Sequence, residues 1–151
     1  MIRVQEEDFD VGVEIARLSN GNNDIGAVCT FLGQVRDLSG NSIQTMTLDH
    51  YPGMTEKELS KIEAEARARW PLVDCAIIHR YGTLTPGDRI VMVATAATHR
   101  QDAFQSCEFL MDYLKTRAPF WKKEDTGDGE KWVEARNSDD VAANRWTETV
   151  E

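Results

Sequence analysis

The alternation of hydrophobic and polar positions between residues 95 and 123 predicts the end of a strand, a long helix and an extended exit. Thr98 and Gln101 have the spacing of a capping box, which places the first helical residue at Gln101 or just before it. Pro119 has no N–H and restricts the residue before it, so the helix is predicted to end near Arg117. Its apolar positions recur at the spacing of one helix face: Ala103, Phe104, Cys107, Leu110, Met111 and Leu114.

Similar patterns predict three more helices. Asp10 is a candidate N-cap for a first helix, whose apolar positions are Val11, Ile15 and Leu18. A second capping box, formed by Thr55 and Glu58, predicts a helix over residues 56–69 that ends before a proline at residue 71. Ser138 is expected to cap a short last helix that continues through Trp146.

Six runs of β-branched and apolar residues predict strands that pair as hairpins. Residues 25–36 and 43–51 are expected to form one antiparallel pair, and residues 73–81 and 89–97 a second. Residues 120–126 and 130–135 are expected to pair around the turn Gly127-Asp128-Gly129. Helices and hairpins alternate without a regular βαβ rhythm, so the predicted class is α+β. One domain is expected over residues 1–151, with residues 147–151 loosely ordered.

Composition narrows the class of protein. With 41% hydrophobic and 28% charged residues the chain is expected to be globular. No apolar run approaches the roughly 18 residues of a membrane span, and no N-terminal signal peptide is recognisable. Cys29, Cys75 and Cys107 are widely spaced, which predicts buried reduced thiols and a cytoplasmic location. The three histidines have no ligand-like spacing with one another or with the cysteines, so we expect no metal site.

The distribution of charge also distinguishes residues 95–123 from the rest of the chain. The chain has a net charge of −9, whereas residues 95–123 contain five bases and three acids. His99 and Arg100 lie at the predicted helix N-terminus, where anions are favoured, and Lys115 lies at the border of the apolar face. A local basic island in an acidic chain predicts a small anionic ligand or an acidic partner segment. It argues against RNA binding, which requires a broadly basic surface.

Several segments recur along the chain in one order and spacing that is typical of a single family. The most specific is Thr98-His99-Arg100 followed by MDYLKTRAPFWKKE at 111–124. The others are GQVR at 33–36, LDHYPGMTEKEL at 48–59, HRYG at 79–82, PGD at 86–88 and WVEA at 132–135. Over nearly its whole length the chain thus resembles the large, catalytic subunits of molybdopterin synthase, known as the MoaE family.

The resemblance implies an α/β hammerhead-type fold with an additional antiparallel β subdomain. It implies a heterotetramer in which two copies form a central homodimer. A small ubiquitin-like sulfur-carrier subunit docks at each end and inserts its C-terminal tail into the active site. The tail ends in a glycine thiocarboxylate, which donates sulfur to cyclic pyranopterin monophosphate (precursor Z) and forms the dithiolene of molybdopterin. No cofactor is implied for the enzyme itself.

Site residues follow from the resemblance position by position. Lys115 and Lys122 are the implied catalytic residues, and both would also contact the substrate. The other implied substrate-binding residues are Arg36, His99, Arg100 and Lys123, some of them contributed by the neighbouring protomer. Gln34 departs from the family pattern, which often has Lys there and so one more anion contact.

Simpler interpretations stand beside these assignments. A lysine at a helix border usually only extends over apolar surface, and an arginine at a strand end is usually solvated. A non-catalytic anion-binding or scaffold subunit of the same pathway would also keep a basic island, but the presence of both Lys115 and Lys122 favours the enzyme. Two amines close together and partly desolvated would repel, which favours the neutral form of one of them. The sequence does not assign proton transfer to either lysine.

Overall fold

The computed structural model describes residues 1–37, 45–127, 129–133 and 136–147. Four helices are found there: α1 (Val11–Ser19), α2 (Met54–Arg69), α3 (Arg100–Arg117) and α4 (Asn137–Asn144). Eight strands accompany them: β1 (Ile2–Gln5), β2 (Ala27–Gln34), β3 (Thr45–His50), β4 (Leu72–Arg80), β5 (Gly82–Leu84), β6 (Arg89–Ala97), β7 (Phe120–Asp125) and β8 (Glu130–Val133). The predicted α+β class is confirmed.

The first sheet has the strand order β1-β4-β6-β2, and helices cover both of its faces. β1 runs parallel to β4, whereas β4 and β2 run antiparallel to β6. Ile77 and Val93 point to one face and pack with α2 and α3, while Ile78 and Met92 point to the other and pack with α1. β4 and β6 are therefore nearly continuous apolar runs, as expected for strands buried on both faces.

The second sheet is antiparallel throughout, with the order β5-β3-β7-β8. Its small core consists of Val35, Met46, Leu48 and Leu84, with Ile90 packed against them. This sheet agrees with the additional antiparallel β subdomain that the family resemblance implies.

The predicted pairing of residues 25–36 with residues 43–51 is wrong. β2 pairs with β6 in the first sheet, whereas β3 pairs with β5 and β7 in the second. The hydrophobic patterns of the two strands explain why they belong to different sheets. β3 alternates between buried Met46 and Leu48 and more exposed Thr47 and Asp49, as suits a sheet with one covered face, while β2 is apolar at consecutive positions. Residues 43 and 44 of the predicted second strand lie outside the described residues.

The other two predicted strand pairs are confirmed, and two short strands were not predicted. β4 pairs with β6, and β7 with β8, as expected, although residues 134 and 135 of the last predicted strand are not described. β1 and β5 were not predicted, because each is too short to show a period. The predicted loose ordering of residues 147–151 falls almost entirely outside the described residues.

Helix ends were predicted better than helix caps. Asp10 caps α1 as predicted, since its Oδ1 accepts a hydrogen bond from the Val13 amide at 3.0 Å. α3 ends at Arg117 as predicted, but its N-cap is His99, with no side-chain cap bond, so the Thr98–Gln101 capping box is wrong. α4 is preceded by Arg136, and Ser138 lies inside the helix rather than capping it.

The predicted Thr55–Glu58 capping box is also wrong, and Thr55 has a different role. α2 begins at Met54, after Gly53, whose amide donates to Glu56 Oε2 at 2.7 Å. Thr55 is fully buried. Its hydroxyl accepts from the Tyr51 amide at 3.2 Å and donates to the Pro119 carbonyl at 3.3 Å. It therefore fixes the start of α2 to the junction between α3 and β7.

A second contact holds the same junction. The Arg117 guanidinium, at the end of α3, donates to Glu58 and Glu65 of α2 at 2.9–3.0 Å. These ion pairs and the Thr55 bonds fix the direction in which the chain enters β7. None of the described helices is both long and apolar enough to cross a bilayer.

Candidate active site

A cavity of about 650 Å³ opens where the end of β2, the end of α3, the start of β7 and the start of α4 meet. Its charged lining residues come from four separate parts of the chain: Arg36, Lys115, Lys122, Glu124, Arg136 and Asp139. Four of these are basic and two acidic, in a chain whose net charge is −9. The basic island predicted from the sequence thus becomes, in part, the wall of one cavity.

Lys115 lies in the last turn of α3, and its side chain reaches the cavity. It is accessible there, but the cavity walls exclude much of the water that would surround a free amine. This desolvation lowers the pKa of Lys115, and the positive charge of Lys122 lowers it further. Asp139 raises the pKa and Arg136 lowers it, each with a smaller effect. The direction is the one predicted for two neighbouring amines.

Lys122 lies on β7, opposite Leu48 on β3 and Val133 on β8. Its Nζ is 3.7 Å from Glu124 Oε1, two residues further along the same strand face. The two lysines therefore differ in environment: one is desolvated beside like charges, and the other has an acidic neighbour.

Arg36 follows β2 in a segment that is fixed by backbone bonds. Val35, which is only 2% exposed, donates to the Asp88 carbonyl at 2.9 Å and accepts from the Gly87 amide at 2.7 Å. The turn before β6 thus places Arg36 at the cavity. The guanidinium is exposed and makes no ion pair with another described residue, so its donors can bind an anion.

Arg136 was not predicted as a site residue. It immediately precedes α4, and the rest of that helix is held by Asp112 of α3. Asp112 Oδ2 accepts from Arg145 Nη2 at 2.8 Å and from Trp146 Nε1 at 2.7 Å. The one available signal was weak: Arg136 is among only three Lys/Arg residues after Glu124.

Three predicted site residues lie elsewhere in the chain. His99 and Arg100 are exposed at the start of α3, and Arg100 is fifteen residues before Lys115, roughly 22 Å along the helix axis. The implied substrate-binding residues Arg36, His99 and Arg100 therefore do not come together within one protomer. Lys123 points to the opposite face of β7, where its Nζ lies 4.3 Å from the centre of the Trp132 ring.

The floor of the cavity contains a buried histidine that the sequence did not single out. His79, on β4, is only 5% exposed, and its ring stacks on Phe120 with 3.7 Å between the ring centres and 15° between the planes. Its Nδ1 lies 2.7 Å from the Arg80 carbonyl. Burial lowers the pKa of His79 to about 4, and the charge of Lys115 contributes in the same direction. The ring is therefore neutral at pH 7.

The three cysteines are free thiols and none lines this cavity. Cys75 and Cys107 are buried as predicted, whereas Cys29 is only partly buried. Burial raises the pKa of Cys75 to about 12 and also raises that of Cys107, so both remain protonated at neutral pH. In the described part of the chain, no group of three or more His, Cys, Asp or Glu side chains is placed to hold a metal ion.

A family model, related sequences and solved structures all indicate the same protein family. Residues 4–117 match the family model described as MoaE protein. The molybdopterin synthase catalytic subunit of Pseudomonas aeruginosa is 58% identical over 97% of this chain and 99% of its own length. The fold is similar to the solved molybdopterin biosynthesis MoaE protein of Burkholderia ambifaria, with a TM-score of 0.85, 60% identity and 99% of each chain covered. It is also similar to the crystal structure of molybdopterin synthase from Staphylococcus aureus, with a TM-score of 0.81, 32% identity, and 87% and 96% covered.

Proposed function

The chain belongs to the MoaE protein family, and on that premise we propose that it is the catalytic subunit of a molybdopterin synthase. It transfers sulfur from the C-terminal thiocarboxylate of a small ubiquitin-like subunit to cyclic pyranopterin monophosphate. The cavity that contains Lys115 and Lys122 is the proposed site of this transfer. Free thiols at all three cysteines suit a reducing compartment, and we place the reaction in the cytoplasm.

The charges of the cavity suit this chemistry. The pterin phosphate and the tail of the small subunit are both anionic, and two anions in a partly dry site require fixed cations. Arg36 and Arg136 both line the cavity, are exposed and provide directed donors for a phosphate. We assign phosphate binding to these two residues and to Lys122.

The observation that carries the proposal is the placement of Lys115 in one cavity wall with Lys122 and Arg136. Desolvation and the charge of Lys122 both lower the pKa of Lys115 there. A lysine with a lowered pKa releases its proton more readily near neutral pH, so it can both donate a proton to and accept one from a reacting group. Lys122, whose Nζ lies 3.7 Å from Glu124, stabilises negative charge that develops on sulfur. A scaffold subunit would have no need for a lysine with a perturbed pKa.

Single-turnover formation of molybdopterin tests this assignment. With a preloaded thiocarboxylate subunit, Lys115→Ala should be slower by roughly 10² or more, because the proton-transfer group is lost. Lys115→Arg should not restore the rate, since arginine keeps its proton. Lys61→Ala, a change on the exposed face of α2, is the matched control and should react normally. A near-normal rate for Lys115→Ala would remove this lysine from the mechanism.

The positions of His99 and Arg100 suggest that they bind substrate in the second protomer of a dimer. Both are exposed and remote from the cavity of their own chain, and we propose that they reach the cavity of the second copy in a central homodimer. Mixing inactive Arg100→Ala protomers with inactive Lys115→Ala protomers should then restore activity, because some mixed dimers contain one intact site. If the mixture stays inactive although mixed dimers form, Arg100 acts within its own protomer or has no role.

A further inference from the structure

α4 connects the cavity wall to a group of aromatic residues beyond its other end. At its start, the Arg136 carbonyl accepts from the Asp139 amide at 3.0 Å, and both residues line the cavity. At its end, the Trp146 amide donates to the Ala143 carbonyl at 3.1 Å. Arg136 and Trp146 are therefore joined through one hydrogen-bonded helix, so a displacement at one end is passed to the other.

The sequence of α4 gives this helix little stability of its own. It has eight residues, and a helix of that length is marginal in water. All eight are described, and only Ala143 among them is buried, while Val141 is 71% exposed. Arg136, the residue before the helix, makes no side-chain cap bond to another described residue. The position of α4 therefore depends on contacts made by the residues around it.

Trp146 makes such contacts at the C-terminal end. Its Nε1 donates to Asp112 Oδ2 on α3 at 2.7 Å, a short bond with a charged acceptor. Its carbonyl accepts from Arg69 Nη1, in the last turn of α2, at 2.8 Å. Its ring packs edge-to-face against Trp70 and Phe109, with 5.6 Å between the ring centres in each pair. Trp146 is thus fixed by both helices that cover this face of the first sheet.

We propose that Asp112 and Trp146 are positioning residues, whose hydrogen bond holds α4 in place and thereby keeps Arg136 in the anion-binding wall of the cavity. This inference rests on the phosphate-binding role proposed for Arg136. Neither residue lines the cavity, so each acts through the helix. A segment that is ordered before the ligand arrives loses less conformational freedom on binding, and the affinity for the phosphate is higher for that reason.

Hydrogen exchange of the α4 amides tests the anchor without a ligand. Asp112→Ala removes the acceptor for Trp146 Nε1, so these amides should exchange about tenfold faster, while those of β6 keep their rate. Trp146→Phe keeps a ring but lacks the donor, and should have the same effect. Glu108→Ala is the matched control, because Glu108 pairs with Arg145 from the same helix but does not bond to Trp146. Unchanged exchange of α4 in both test variants would overturn the proposal.

Calorimetry with cyclic pyranopterin monophosphate tests the consequence for the site. Arg136→Ala should weaken binding about tenfold, because a charged donor to the phosphate is lost. Asp112→Ala should weaken it about fivefold, and Asp112→Asn should recover part of the affinity, since its amide oxygen can still accept from Trp146. In the double variant, Asp112→Ala should add less than about twofold to the effect of Arg136→Ala, because a positioning residue has no effect without the group that it positions.

The outcomes separate the two proposals. If Arg136→Ala binds weakly while Asp112→Ala binds normally, Arg136 needs no anchor and the inference fails alone. If Asp112→Ala weakens binding equally with and without Arg136, Asp112 acts by another route and the inference again fails. If Arg136→Ala binds the pterin normally, the phosphate-binding role of that arginine fails first, and the inference fails with it.

Discussion

The buried hydroxyl of Thr55 gives a prediction in which stability and function are linked. Thr55→Val keeps the shape of the side chain but removes the acceptor for the Tyr51 amide and the donor to the Pro119 carbonyl. The Tyr51 amide lies just before α2, and the Pro119 carbonyl lies at the junction that carries the chain from α3 into β7. Neither gains another partner from valine, so each loses its bond without compensation.

The expected cost follows from these two bonds. Leaving a buried polar group unsatisfied costs about 1–3 kcal/mol, and the bonds here are long, at 3.2 and 3.3 Å, so we expect about 2 kcal/mol in total. For a domain of this size that corresponds to a fall of about 4–8 °C in Tm. Because Lys115 and Lys122 flank the loosened junction, the single-turnover rate should fall as well, by roughly tenfold.

Thermal unfolding at a fixed protein concentration measures the stability change, and Thr47→Val is the matched control. The Thr47 hydroxyl bonds only to the Thr83 hydroxyl at 3.2 Å on the second sheet, at a half-exposed position where valine suits a strand. Its replacement should change the unfolding free energy by less than about 0.5 kcal/mol. If Thr55→Val were as stable as this control, the junction would not depend on the hydroxyl and the reasoning would be wrong.

Three further predictions concern the cavity and the cysteines. Lys122→Ala removes the positive charge that lowers the pKa of Lys115 most, so this pKa should rise and the rising limb of the pH–rate profile should move to higher pH. An unmoved limb would show that the amines do not interact. Arg36→Ala should weaken binding of the pterin phosphate by roughly tenfold or more, measured by calorimetry, whereas Lys61→Ala should not. Changing Cys29, Cys75 and Cys107 together to Ala or Ser should leave turnover measurable with a thiocarboxylated small subunit, and complete loss of turnover in a folded triple variant would indicate a persulfide route.

The sequence predicted the elements of this fold better than their pairing. α3 was predicted closely because its apolar period is long and Pro119 ends it without ambiguity. β2 and β3 follow each other along the chain, which favours a hairpin, so their predicted pairing was wrong. Continuous apolarity in β2 and alternation in β3 already indicated sheets with different coverage.

Only some of the residues that line the candidate site could be identified from the sequence. Lys115 and Lys122 could be found because the family motif spans both of them on either side of Pro119. Arg136 lines the cavity just before α4, and Asp112 binds the residues that follow that helix, a contact with no local pattern in the sequence. His79 lies in an apolar strand, where a histidine is usually a packing residue, and only the stacked Phe120 and the nearby Lys115 distinguish it.

We propose that sulfur transfer takes place in the cavity that contains Lys115 and Lys122. A structure of the protein with cyclic pyranopterin monophosphate and the small subunit bound tests it most directly. We expect the phosphate within hydrogen-bond distance of Arg36 and Lys122, and the C-terminal glycine of the small subunit beside the Lys115 amine. A pterin bound at another surface, or a tail that ends away from Lys115, would contradict it.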